Sequence, residues 1–316
     1  MRLFLRLLAT AILAFAAGAF VLLRENPEAS FWAAVRDRQE QELASLRARH
    51  PGQPVILFAG GSSCAFSVDP AFVSAEAGRP ACNLGTSAWS GPKFYLHQAF
   101  KCARRGDLLV LAIEPNFLTE PGLLEPTSLG LALAWGRGDP DGAVGGSSFG
   151  ESIGLRQQIE LSRPGARYLV TWLGKKITRG EPYYYSAADL RPGGRLETRR
   201  GHPTGRGDER LHPGELTPEA SAMLERAAWF AGQQGIRVVY ALPWYFTAGD
   251  SAAANRGVRR VLLEQVARIM PVLEDPALGI QTDPSLFSDT NFHLTAAGSE
   301  RRSRELGRGV AGLLAE

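Results

Sequence analysis

Cysteine is scarce: the 316 residues hold three, Cys64, Cys82 and Cys102. They form no CxxC pair and no Cys/His cluster with metal-ligand spacing, so no metal site is expected. One disulfide with a free thiol and three buried thiols both fit the count. Lysine is nearly missing too, standing only at 93, 101, 175 and 176. Arginine carries the rest of the positive charge, and 35 basic against 32 acidic residues leave +3. That balance is too small to imply a nucleic-acid partner. No Gly-Lys-Ser/Thr phosphate loop occurs, and the glycines at 60 and 61 lack the third member of a dinucleotide fingerprint. No internal repeat is present.

What is there is a globular composition, 45% hydrophobic and 21% charged. The length fits one large domain, or one domain with an insertion. The N-terminus stands apart. Arg2 and Arg6 precede an uncharged apolar run from Leu7 to Leu23. As a helix this run is roughly 25 Å long at 1.5 Å per residue. Leu3, Phe4 and Leu5 extend it toward the ~30 Å hydrocarbon core, because Arg6 can snorkel. Basic residues before the run and mixed charges after it place the N-terminus inside and the remainder outside. Ala17-Gly18-Ala19 offers a rival reading as the cleavage site of a secretory signal. Either way the remainder leaves the cytoplasm.

The chain divides into an anchor or signal at 1–24, a helical stalk at 25–50 and a domain at 51–316 with an insertion at about 120–215. In the stalk, Ser30 is the expected cap of a helix reaching Arg49. Val55 to Ala59 is a short apolar run bounded by Pro54 and Gly60-Gly61, which predicts a buried strand. A second strand ends near Asn83-Leu84-Gly85, and a third covers Leu108 to Ile113. A helix is expected over Lys93 to Arg104 between them. The insertion is rich in Gly, Pro and Arg and reads as a lid or cap, with a helical piece at 152–173. Its Tyr183-Tyr184-Tyr185 cluster is either packing or a glycan platform. Thr217 with Pro218 starts another helix, and Gly235 stops it. A strand follows at Arg237 to Leu242, then helix from Ala252 to Leu273, then a last helix capped by Thr295. Short apolar strands alternating with helices imply a mainly parallel sheet with helices on both faces.

Two segments carry chemistry. Gly60-Gly61-Ser62-Ser63 puts a serine at the glycine-rich carboxyl end of a strand, where α/β sheets bind ligands. Ser288-Asp289-Thr290-Asn291-Phe292-His293-Leu294 precedes the last helix. A hydroxyl nucleophile needs an adjacent base, and the base needs an orienting carboxylate. Asp289 and His293 can supply both. The other histidines are His50, His97, His202 and His212, and Asp208 with His212 repeats the spacing. Position separates the two pairs, since His212 lies in the insertion.

Gly60-Gly61-Ser62 resembles the nucleophile block of the SGNH (GDSL-like) hydrolases, with Gly61 where the GDS motif has Asp. Asn83-Leu84-Gly85 resembles the second block, and Asp289 through Leu294 the last. The tethered form is similar to bacterial proteins linked to O-acetylation of secreted polysaccharides. The resemblance covers about 55–117 and 217–316. It implies a flavodoxin-like, three-layer α/β/α fold behind an N-terminal transmembrane helix. It also implies a serine esterase or O-acyltransferase with Ser62 as nucleophile, His293 as base and Asp289 as its partner. The oxyanion donors would be Ser62, Gly85 and Asn116. No cofactor is implied. The expected partners are a glycan or small acyl ester, the bacterial inner membrane, and a membrane protein that delivers acyl groups. The catalytic domain would lie in the periplasm or outside the cell. Three departures stand out. Asp289 and His293 are separated by one residue more than the family's Asp-x-x-His. Ser63 is an alternative nucleophile if the register shifts by one. Of the third block, Gly-x-Asn-Asp, only Asn116 remains.

Overall fold

The computed structural model describes residues 1–163, 173–174, 177–178, 185–197, 211 and 214–315. The N-terminal apolar run forms helix α1 (Arg2–Arg24), long and apolar enough to cross a membrane, with a mean hydropathy of 2.1 over its most apolar 18 residues. Most of it is exposed, and Ala19 and Leu22 near its end are buried. Helix α2 (Pro27–Arg49) follows directly. Its cap is Asn26, not Ser30: the Asn26 side chain accepts from the amides of Glu28 and Ala29, and Pro27 occupies the first helical position. Proline is tolerated there because that N–H has no intrahelical partner.

Four strands form one parallel sheet in the order β2-β1-β3-β4. They are β1 (Ile56–Gly60), β2 (Ala81–Asn83), β3 (Leu108–Ala112) and β4 (Arg237–Tyr240). Register runs from Ile56 beside Leu108 to Gly60 beside Ala112, and from Leu108 beside Arg237 to Leu111 beside Tyr240. Because strand side chains alternate, Leu57, Ala59, Leu109 and Leu111 enter one apolar cluster. Ile56, Phe58, Leu108, Val110 and Ala112 enter another. Strands buried on both sides explain the continuous apolar runs in the sequence. A second parallel pair, β5 (Tyr245–Phe246) with β6 (Ile280–Gln281), was not expected from the sequence, being too short to show a period.

The helix expected as a stalk packs closely against the domain. Trp32, Val35 and Leu43 are buried, and buried Arg36 and Gln39 donate to the carbonyls of Leu84 and Gly85. Helix α3 (Ser62–Ser67) leaves β1 at once, and α4 (Pro70–Ala77) leads to β2. Helix α5 (Pro92–Cys102) leads to β3, and one turn, α6 (Asn116–Thr119), follows it. Helix α7 (Ser128–Gly136) opens the region expected as a lid. Its run Leu129–Ala134 is buried in the larger core and packs against α1 and α2, so this piece belongs to the core. Two short helices, α8 (Gly146–Phe149) and α9 (Leu155–Leu161), come next. Helix α10 (Pro218–Gln234) is capped by Thr217 as the sequence indicates, and α11 (Gly249–Val266) ends earlier than expected. The chain closes on α12 (Ala296–Ala315), where the Thr295 hydroxyl accepts from the Gly298 amide. The three cysteines are free.

Candidate active site

The order β2-β1-β3 means that the chain leaves β1 to one side for β2 and returns to the other for β3. Such a reversal opens a crevice at the carboxyl ends of the strands. Ser62 follows β1 there, and Glu114 and Asn116 follow β3. A cavity of about 300 Å³ occupies this place. Ser62, Asn116 and His293 all line it, together with Glu114, Trp89 and Tyr185. A larger cavity of about 360 Å³ lies between the end of α1 and helices α2, α5 and α7, and shares Trp32 with the first. Ser62, Asp289 and His293 are not among its lining residues.

Ser62 is the first residue of α3, so its N–H has no partner inside the helix. Ser63 is turned away. It is buried, absent from the cavity wall, and its N–H donates to Glu114 Oε1 at 3.0 Å. The segment after Phe287 folds back on itself. The Ser288 amide donates to the His293 carbonyl at 2.8 Å, and the Thr290 hydroxyl accepts from the amides of Phe292 and His293. This turn absorbs the extra residue between Asp289 and His293. His293 Nδ1 lies 2.9 Å from Asp289 Oδ1. The imidazole is stacked on Phe66, with ring centroids 4.3 Å apart. Ser67 Oγ donates to the Phe292 carbonyl at 3.0 Å, which ties the serine helix to the histidine turn.

Asp289 has a second partner that the sequence did not reveal. The Tyr185 hydroxyl donates to Asp289 Oδ2 at 2.5 Å. Burial pushes the Asp289 carboxyl up, but the hydrogen bond and charge of His293, with the Tyr185 hydroxyl, outweigh it and hold the group below the usual carboxylate range. With Nδ1 occupied by a carboxylate, Nε2 is the atom left for a proton transfer. It makes no hydrogen bond among the described residues, and Ser62 Oγ makes none either. Tyr183, Tyr184 and the alternative pair Asp208 and His212 lie outside the described residues.

Gly85 is placed differently from the expectation. It does not line the cavity, and its N–H donates to Asn83 Oδ1 at 2.8 Å. A Cβ at Gly85 would overlap the backbone of Ala65, so the glycine is required by close packing against α3. Asn83 is the centre of this contact. Its Nδ2 donates to the carbonyls of Cys64 and Val68 at 2.9 and 2.7 Å. The Asn-Leu-Gly block thus fastens the serine helix to β2. Asn116 does reach the cavity, from the first position of α6.

Glu114 is the other residue the sequence did not single out. Its carboxylate lies over Gly61 and is almost wholly buried. Burial pushes its carboxyl above the usual range, and hydrogen bonding from Ser63 offsets this only in part. Glu28 and Trp32 of α2 complete one wall, so the helix next to α1 is part of this cavity.

No protein-family model and no curated protein matches the chain.

Proposed function

We propose that the chain is a serine esterase or O-acyltransferase of the SGNH type, acting on an acylated glycan outside the cytoplasm. One observation carries the reading: Ser62 and His293 line one cavity, and Asp289 holds the other nitrogen of His293. The strand order supports the flavodoxin-like, three-layer arrangement of that superfamily, with two apolar clusters on opposite sides of the sheet.

In this mechanism Ser62 Oγ attacks the ester carbonyl carbon while His293 Nε2 takes the hydroxyl proton. Asp289 fixes the imidazole tautomer and stabilises the imidazolium. The Ser62 N–H and the Asn116 amide receive the developing oxyanion. Collapse expels the alkoxide, which takes the proton back from His293 and leaves an acyl group on Ser62. Water or a sugar hydroxyl then attacks the acyl-serine, with His293 again as base. Trp89, 61% exposed at the cavity rim, offers a flat apolar face to a sugar ring. The membrane-spanning α1 would hold the domain beside a membrane protein that supplies acyl groups.

The second reading is an inactive member of the same fold that holds a glycan within a modifying assembly. The missing hydrogen bond between Ser62 Oγ and His293 Nε2 favours it, although such bonds are often long before substrate binds. A fluorophosphonate probe and an activated acetyl ester separate the two. Ser62→Ala and His293→Ala should abolish labelling and turnover, with losses up to about 10⁶ in rate, and Ser63→Ala should retain both. A folded wild type that neither labels nor turns over would establish the scaffold reading instead.

A further inference from the structure

Arg259 on α11 is an unusual charge. The residue is 1% exposed, and all three guanidinium nitrogens lack a hydrogen-bond partner among the described residues. No carboxylate among those residues lies within ion-pair distance of it. Its guanidinium carbon lies over the Tyr245 ring, 5.8 Å from the ring centre. Burial pulls the group down to about 10, with Tyr240, Tyr245 and Asp275 opposing, so it remains a cation at neutral pH. A buried cation without a partner is costly, and structures normally supply an anion or a hydrogen-bond network for it.

Arg259 is one of the residues that border a cavity of about 270 Å³, its guanidinium buried in the wall. Asn116 and Phe292 line both this cavity and the one that holds Ser62 and His293. The two spaces therefore adjoin on either side of these residues. Glu120 also lines the second cavity, which disfavours an anion near that wall and leaves the Arg259 side as the place for one. The planar fork of arginine matches carboxylate and phosphate oxygens in pairs.

We propose that Arg259 forms an anion subsite that binds a carboxylate or phosphate group of the substrate next to the ester attacked at Ser62. The proposal rests on the esterase reading for its meaning, but not for its test. The substrate class that follows is an acidic acylated glycan or a phosphorylated one, rather than a neutral polymer.

The experiment uses the full chain in detergent at constant ionic strength set with chloride. Glucuronate, inorganic phosphate and glucose are titrated by calorimetry and by thermal shift against wild type, Arg259→Gln, Arg259→Lys and Ser62→Ala. At least one anion should bind saturably and raise Tm, and glucose should not. Glucuronate alone would assign a carboxylate, and phosphate alone a phosphorylated group. Arg259→Gln should weaken the anion at least tenfold, and Arg259→Lys, which keeps the charge without the fork, should fall between. Ser62→Ala should bind the anion as wild type does. Anions that bind no better than glucose to wild type, or equally well to Arg259→Gln, overturn the proposal even if turnover at Ser62 is intact. Retained anion binding in a protein without turnover would instead overturn the esterase reading and leave the subsite standing.

Discussion

Gly61 and Glu114 share one space. A Cβ on Gly61 would overlap both carboxylate oxygens of Glu114 and the backbone of Ala88. The SGNH block that Gly60-Gly61-Ser62 resembles has Asp where this chain has Gly61. Here a carboxylate still stands beside the serine helix, but it comes from the end of β3. It accepts the Ser63 amide and lines the cavity near His293. An aspartate at position 61 could not coexist with it.

Glu114 should give the stability of the protein a pH dependence. Its carboxyl is raised above its ordinary value of 4.5 by burial. The folded state therefore holds this proton at pH values where the unfolded chain has released it. Glu114 imposes no penalty below the ordinary value, and stability falls as pH rises through the folded one. Glu114→Gln keeps an acceptor for the Ser63 amide and removes the titration. Urea unfolding from about pH 4 to about pH 8 should show the stability of wild type falling relative to the Gln variant. A difference between the two that does not change with pH would refute the assignment.

In the proposed reaction Tyr185 acts through Asp289. Its hydroxyl holds the carboxylate oxygen that His293 does not use. If the proposed triad operates, Asp289→Asn presents the wrong group to Nδ1 and should reduce kcat on the order of 10⁴-fold, as it does in a well-studied Ser–His–Asp protease. Tyr185→Phe removes one hydrogen bond to a charged group, about 1.5–3 kcal/mol, or roughly 10- to 150-fold if kcat carries all of it. KM for a small acetyl ester should move little, because Tyr185 is a positioning residue in this scheme. Steady-state kinetics on both variants checks the split. A KM rise at unchanged kcat would make Tyr185 a substrate contact instead.

Much of this was legible because it is local. Pro54 and Gly60 bracket an apolar run, and the strand covers Ile56–Gly60. Thr217 and Thr295 announce their helices through one hydroxyl each. What sequence reading missed is held by contacts far apart in the chain. Gly85 is expected as a donor only through the resemblance of Asn83-Leu84-Gly85 to the second SGNH block, and the Asn83 side chain takes its N–H. Glu114 is meaningful only above Gly61. Tyr185 sits in a segment without a period, and its role depends on a partner 104 residues away. The apolar Leu129–Ala134 run lies inside a Gly- and Pro-rich stretch, so composition hid a core helix under the label of a lid. Asn26 caps α2 in place of Ser30, because Pro27 fixes the first helical position directly after it.

The anchor can be tested apart from the chemistry. Helix α1 has 23 residues, about 35 Å at 1.5 Å per residue, which exceeds a hydrocarbon core of about 30 Å. Only 6% of its most apolar window is buried, so its outer surface has no protein to cover it. A soluble helix of this composition would be driven to bury that surface. The full chain should therefore remain with membranes after carbonate extraction, and a chain beginning at Glu25 should stay in solution. That shorter chain loses the contacts of Ala19 and Leu22 but keeps Trp32, Val35 and the Asn26 cap. It should unfold cooperatively with a Tm only slightly below that of the full chain. Extraction of the full chain by carbonate would argue against a spanning helix. A mature N-terminus found just after Ala19 would show a cleaved signal, leaving α2 and the cavity wall it forms on a secreted protein.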